Sequence, residues 1–510
     1  MLDILFSHSY YYPLDKKQWE NKTPYPPLGT IYAASLMREN DFSVSLFDTN
    51  LRNNPFDIEK EIQETKPSFL VIYDDGFNYL TKMCLTNMRE AAFEMIDIGK
   101  KHNCRVIVNS SDSTDHYKKY LDAGADYIIL GEGELTLKEL LTKLKNKEPA
   151  SDLKGIVFKN NEEFVTNSKR EALKNLDELP MPAWDLVDVD AYKKVWAERG
   201  KKISLNIATT RGCPFKCNWC AKPIWGQRYN VRDAKIVAQE MQYLQQTYKA
   251  EHIWFVDDIM GLRPGWFNTL ASELKLMKVD IPFKCLSRAD LILRGDTIES
   301  LARAGCDIIW LGAESGSQKV LDAMDKGTKV EEIYEATRRL RAAGVRVAFF
   351  LQFGYPGEKF EDIKLTLKML RECAPDEIGI SVSYPLPGTK FYDAVKRELS
   401  DKQNWTDSAD LDMMYRGTFV TDFYRQLHTV VHKEFKALKT LRYFKHAVRT
   451  PKTLGKRDLR RVAGMFYRAS TLPLAWKKLK TLSLIPNEGL GPLPTIMSHE
   501  EAAVPSPQSD

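Results

Sequence analysis

Short apolar runs at 2–6, 44–47, 69–73, 106–108 and 127–130 alternate with stretches of helical spacing such as 31–38 and 88–100. Apolar runs bounded by turn residues read as buried strands. Their alternation with helices predicts a doubly wound α/β sheet of flavodoxin type over 1–150. Such sheets bind ligands beyond the carboxyl ends of their strands. The segments there are rich in turn formers: Tyr25-Pro26-Pro27-Leu28-Gly29, Asp74-Asp75-Gly76, Asn109-Ser110-Ser111-Asp112 and Gly131-Glu132-Gly133-Glu134. Between 155 and 165 the pattern is a hairpin around Asn160-Asn161, and Pro180 and Pro182 stiffen the chain beyond it. Residues 151–200 are therefore expected to form a hairpin and linker.

A second series begins at 203–208 and continues at 252–256, 283–286, 308–311, 345–350 and 377–382. Six strands paired with helical spacing predict a partial (β/α)6 barrel over 201–400, with chemistry at the carboxyl ends of its strands. Residues 401–486 read as a helical, basic region. Between 433 and 480, 15 basic residues stand against 2 acidic ones, interleaved with aromatics from Phe435 to Trp476. Helices of this kind lie on anionic membranes or cover an acidic substrate; they equally pack on a barrel with a solvated basic side. Residues 487–510, with their Gly, Pro and Ser, are expected to be disordered.

Composition changes this picture little. A chain of 510 residues holds two or three domains and buries large cores without covalent staples. The net charge of +5 makes no case for nucleic acid as a partner. The start of the chain lacks the basic and long apolar regions of a signal peptide, and no run of about 18 apolar residues occurs. The 8 scattered cysteines argue for a reducing compartment over a disulfide framework. The expectation is a cytoplasmic protein, with any membrane contact peripheral.

Three of those cysteines define the chemistry. Cys213, Cys217 and Cys220 fall within one short loop, spaced C-x3-C-x2-C, directly after the apolar run at 203–208. Thiolates at short spacing suit an iron–sulfur cluster. Three ligands on a four-iron cluster leave one iron open, and an open coordination site is where a metal does chemistry. Zinc would need a fourth ligand, which only the distant Cys285 or Cys306 could supply.

This motif, opening a domain of repeated strand–helix units, resembles the radical SAM (S-adenosylmethionine) superfamily. The resemblance implies that Cys213, Cys217 and Cys220 hold a [4Fe–4S] cluster whose open iron chelates the methionine part of S-adenosylmethionine. It further implies that Trp219 flanks the adenine and that Arg288, ending the third barrel strand, meets the methionine carboxylate. Glu314, after the fourth, would accept from the ribose hydroxyls, and Gly354, in the turn Gly354-Tyr355-Pro356-Gly357-Glu358, would lie near the adenine. Asp257-Asp258 either approach the cosubstrate's amino group or cap the next helix. No residue is assigned as the catalyst of the onward reaction.

The first domain resembles the cobalamin-binding domain of the cobalamin-dependent radical SAM enzymes, through Pro-Pro-Leu-Gly and Gly-Glu-Gly-Glu. The branch it is most similar to is that of the anaerobic magnesium-protoporphyrin ester cyclase. The resemblance implies a cobalamin near Pro27, Gly29, Asp75, Gly76, Ser111, Gly131, Glu132 and Gly133. Two departures stand out: there is no Asp-x-His-x-x-Gly, and Asn109-Ser110-Ser111-Asp112 replaces the family's Gly-Gly-Pro-His. The outcome expected is methylation or oxidative cyclisation of an unactivated carbon in a small-molecule, lipid or tetrapyrrole-type substrate. An external one-electron reductant, flavodoxin or ferredoxin, would feed the cluster. The alternatives are a radical enzyme whose first domain is free of cobalamin, and a non-catalytic iron–sulfur redox or scaffold protein.

Overall fold

The computed structural model describes residues 2–220, 224–399, 401–449 and 456–487, and the expected tail lies outside these from 488 onward. Two parallel sheets dominate it. The first is built from β1 (Ile4–Ser7), β2 (Val44–Phe47), β3 (Phe69–Tyr73), β4 (Arg105–Asn109) and β5 (Tyr127–Ile129). Their order is β2-β1-β3-β4-β5, all parallel, as in flavodoxin-type sheets. Ile4, Phe6, Val71 and Ile107 face one apolar core, while Leu5, Ile72, Val106 and Val108 face another. Burial on both faces is why these strands read as unbroken apolar runs. The hairpin expected beside the linker instead extends this sheet: β6 (Ile156–Asn160) and β7 (Glu163–Thr166) add antiparallel beyond β5.

The second sheet consists of β8 (Leu205–Ile207), β9 (Ile253–Phe255), β10 (Phe283–Ser287), β11 (Cys306–Glu314), β12 (Arg346–Phe353) and β13 (Glu377–Val382). Its order follows the chain from β8 to β13, and every pairing is parallel. Helices join successive strands, so the sheet curls into an open half-barrel. One face packs Ile207, Phe255, Phe283, Leu311 and Phe349 against those helices with no exposure. The alternating positions Trp254, Lys284, Leu286, Trp310 and Phe350 face the concave side and stay partly exposed.

The connector is packed between the sheets rather than slung across a gap. Trp184 and Tyr192 are fully buried in the same apolar core that holds Leu28, Ile31, Leu205 and Ile253. Trp196 donates its indole N–H to the Pro24 carbonyl at 2.7 Å. After the barrel, helices Thr421–Arg449 and Lys456–Leu482 pair with each other, and the first packs on helix Phe360–Cys373. Arg442 and Lys439 cap that helix by donating to the carbonyls of Ala374, Pro375 and Asp376. Among the described residues, no helix is long and apolar enough to cross a membrane.

Candidate active site

The cysteine loop leaves the carboxyl end of β8 and returns to it. Thr210–Arg211 pair antiparallel with Asn230–Val231, closing the loop at its base. Gly212, at φ +87°, makes the turn into Cys213, and a Cβ there would stand 2.2 Å from the Arg228 carbonyl oxygen. Asn218 anchors the other side. Its N–H donates to the Met324 carbonyl, its amide to Ala323, and it accepts from the Tyr355 hydroxyl at 2.8 Å. Sequence reasoning missed Asn218 and this use of Tyr355. The only signal was a polar residue between two ligand cysteines.

Cys213, Cys217 and Cys220 form no disulfide, and each is partly exposed. Burial raises the Cys213 thiol and pushes Cys220 up to about 12, so binding a cation is what would free their protons. Among the described residues no three Cys, His, Asp or Glu side chains converge on a single point. A [4Fe–4S] cluster would take the three thiolates on three separate irons. Cys285 and Cys306 are buried together in β10 and β11 as neighbours of each other, which removes them as a fourth zinc ligand.

The residues read from the barrel strands gather around this loop. Arg288 lies over the Phe215 ring at 3.8 Å and points Nη1 at the Cys217 sulfur, 3.7 Å away. Its Nε donates to Asp290 and its Nη2 to Thr328. Glu314 ends β11 at φ +55°, a conformation costly outside glycine, and accepts from the buried Lys326 ammonium at 3.0 Å. Trp219 packs with Val320, Met324 and Tyr355, and its indole N–H is buried without an acceptor. Gly354 donates to Glu358 at 2.6 Å, while the other Glu358 oxygen is buried and unpartnered. Burial pushes Glu358 up to about 8. These two orphaned polar atoms, on the cysteine loop and in the turn after β12, leave hydrogen-bonding capacity for a polar cosubstrate.

Asp257 is committed elsewhere. It accepts from both the N–H and hydroxyl of Thr209 and from the Thr210 N–H, tying the ends of β8 and β9 together. Desolvation nonetheless raises it to about 7. Neither Asp257 nor Asp258 caps the following helix, Trp266–Met277, which begins behind Gly265. Asp258 takes a 2.6 Å ion pair from Lys82, which follows β3 in the first sheet.

That contact belongs to a broad junction between the sheets. Arg211, at the root of the cysteine loop, is buried between Glu132 and Glu134 of the Gly-Glu-Gly-Glu loop and stacks on Trp225 at 4.5 Å. Gly29 donates to Asp75 at 3.0 Å, and Pro27 leads into helix Leu28–Arg38. A Cβ on Gly76 would meet Ile224 and Trp225, and one on Gly133 would meet Tyr73 and Asn109. In the loop after β4, Asp112 is held by Arg89 at 2.5 Å and by the Tyr120 hydroxyl, and Arg89 reaches Asn404 from beyond the barrel. Ser111 and Gly131 are the two of the eight residues read for cobalamin that keep partly exposed, uncrowded positions.

An open, all-parallel half-barrel with a three-cysteine loop at the carboxyl end of its first strand defines an iron–sulfur enzyme class. Residues 207–370 match the Radical SAM superfamily, which makes this segment a radical SAM domain. An uncharacterized methyltransferase of Pyrococcus horikoshii is 26% identical over 394 residues, 76% of this chain and 82% of that protein. The anaerobic magnesium-protoporphyrin IX monomethyl ester cyclase of Synechocystis is 28% identical over 268 residues, 52% of this chain and 53% of that one. Among solved structures, the cobalamin-dependent S-adenosylmethionine radical enzyme OxsB with aqua-cobalamin bound aligns at a TM-score of 0.72. That alignment covers 94% of this chain and 72% of OxsB at 17% identity, which speaks to the fold.

Proposed function

We propose that the chain cleaves S-adenosylmethionine at a [4Fe–4S] cluster on Cys213, Cys217 and Cys220, and uses the radical to methylate or oxidatively cyclise an unactivated carbon. The observation that carries this reading is the cysteine loop seated beside Arg288, Glu314 and Lys326 at the strand ends. The cluster supplies the electron that breaks the cosubstrate's sulfonium bond. The chain's own residues orient and shield. Arg288 offers a fixed cationic fork within reach of a carboxylate near Cys217. Glu314, held by Lys326, presents acceptor capacity toward ribose hydroxyls. Trp219, with Phe215 across the loop, keeps water from the thiols. Tyr415 donates to the Gly354 carbonyl, fixing the turn assigned to the adenine.

Cobalamin is the second cofactor in this proposal, carried at the carboxyl edge of the first sheet where that edge meets the barrel. The sheet order and the named relatives support it. Gly29, Asp75, Gly76, Glu132 and Gly133 would frame the site by holding the two sheets together, and Ser111 and Gly131 are placed to touch the ligand. Cobalamin supplies a methyl carrier to such chemistry. An external flavodoxin or ferredoxin would deliver the electron. The hairpin of helices Thr421–Arg449 and Lys456–Leu482 is a peripheral membrane contact in this reading, supported by Phe466, Tyr467 and Leu474, each more than 60% exposed on a basic element. The test is anaerobic reconstitution with iron, sulfide and hydroxocobalamin, followed by cofactor analysis. Cobalamin near one per chain is expected, and its absence beside a full cluster would remove cobalamin from the proposal.

A further inference from the structure

The concave face of the half-barrel carries a set of side chains that the cosubstrate site does not use. Trp310 and Phe350 project from neighbouring strands, with ring centroids 4.6 Å apart and planes 30° from parallel. Gly379 stands beside Phe350 in the register, and a Cβ on it would come within 3.0 Å of Phe350 and 3.4 Å of Trp310. The missing side chain is what lets the two rings pack down over this strand. Level with Phe350 on the other neighbouring strand is Gly312, where a Cβ would meet the Glu314 carboxylate and the Lys326 ammonium. The aromatic pair therefore lies directly beneath the groups assigned to the cosubstrate.

Toward the amino end of the same face stands Lys284, level with Ile308. Its ammonium donates to the Tyr25 hydroxyl at 2.7 Å and lies over the Trp254 ring at 4.5 Å. An ammonium has three N–H donors. Tyr25 takes one, and among the described residues nothing accepts the other two and no carboxylate pairs with this lysine. Burial lowers its pKa to about 8, with Glu377 opposing at a distance. A half-covered ammonium with no anion beside it gains most from a ligand that supplies one.

We propose that this face is the substrate site. It takes a rigid, ring-bearing apolar molecule with an anionic group, carboxylate or phosphate, at one end. The rings stack on Trp310 and Phe350, the anion meets Lys284, and the reacting carbon lies at the strand ends. The four to six residues of strand between those levels correspond to roughly 13–20 Å, which sets the length of the substrate. The inference rests on the radical SAM reading for its orientation, but its test does not involve turnover.

The test compares two probes on the purified chain: anionic 8-anilinonaphthalene-1-sulfonate and its neutral counterpart N-phenyl-1-naphthylamine. Fluorescence titration gives an affinity for each. The Lys284→Met variant, which keeps an unbranched chain against Trp254, should lower the anionic-to-neutral affinity ratio about tenfold, the loss of one charge-assisted contact. Gly379→Val, whose side chain would push Phe350 and Trp310 out of their stacked position, should weaken both probes. Circular dichroism and the thermal midpoint establish that each variant is folded. An unchanged ratio in Lys284→Met, or unchanged binding of both probes in Gly379→Val, would overturn the proposal. Because the cluster and cosubstrate are absent from the titration, a failure to cleave S-adenosylmethionine would leave this result standing.

Discussion

At the carboxyl ends of the first sheet, Asp74 accepts from the N–H and hydroxyl of Ser9, Asp75 from Gly29 and Phe77, and Glu132 and Glu134 from Arg211. At the same ends of the second sheet, Glu358 keeps one buried oxygen unpaired, the Trp219 indole has no acceptor, and the three thiols of the loop form no disulfide. Both edges are polar, and both sit where parallel sheets bind ligands. The first has spent its hydrogen-bonding capacity on joining protein to protein, with one buried Glu134 oxygen left over. The second has kept its capacity for something absent from the chain. A ligand edge is recognised less by its residue types than by what those residues have left to offer.

Substitutions at the two edges should therefore fail differently. The largest effect is expected at the second. Cys217→Ala should abolish 5′-deoxyadenosine formation and cluster absorbance while leaving the urea unfolding of the metal-free chain nearly unchanged. At the first edge, Arg211→Met strands two buried carboxylates and should cost about 3–5 kcal/mol in the same urea experiment. If Arg211→Met proves harmless to stability, the junction is not what holds the sheets together. A smaller effect separates the two uses of Arg288. Arg288→Lys keeps the charge but loses the fork, and should raise the KM for S-adenosylmethionine about tenfold, an energy near 1.4 kcal/mol.

Acidity sharpens the contrast further. Burial raises Glu358 to about 8, so the folded protein holds that proton more tightly than the unfolded chain. The stability it contributes is complete below the ordinary carboxylate range and is lost as pH rises through about 8. Glu358→Gln should remove up to about 1.4 kcal/mol per pH unit of this decline, read from urea midpoints between pH 5 and pH 8. Asp257, raised to about 7, adds a decline of the same sign. The smallest change in stability is expected on the basic hairpin. Phe466→Ser with Tyr467→Ser should shift stability by no more than about 0.5 kcal/mol. The same pair should reduce sedimentation with phosphatidylglycerol vesicles. Unchanged sedimentation would argue against a membrane role for these side chains.

The eleven parallel strands could be read from the sequence because each is buried on at least one side and so leaves an apolar run, from β1 at Ile4–Ser7 to β13 at Glu377–Val382. The cysteine loop, Arg288 and Glu314 were readable because short spacing and position after a strand carry the signal. The junction was not. Glu132 and Glu134 meet an arginine 77 or more residues away, and nothing local in Gly-Glu-Gly-Glu announces that partner. The hairpin at 155–165 was seen as a hairpin, but its attachment to β5 is a long-range pairing that turn chemistry does not specify. The hold of Asp257 on Thr209 and Thr210 was not legible, because a carboxylate after a strand looks the same whether it caps a helix, faces a ligand or ties two strand ends together.

The most direct test of the radical SAM assignment is anaerobic reconstitution with iron and sulfide, then incubation with dithionite and S-adenosylmethionine. The account predicts about four irons per chain and 5′-deoxyadenosine as a product, with both lost in Cys217→Ala. Iron retained in that variant, or a full cluster that forms no 5′-deoxyadenosine, would contradict it.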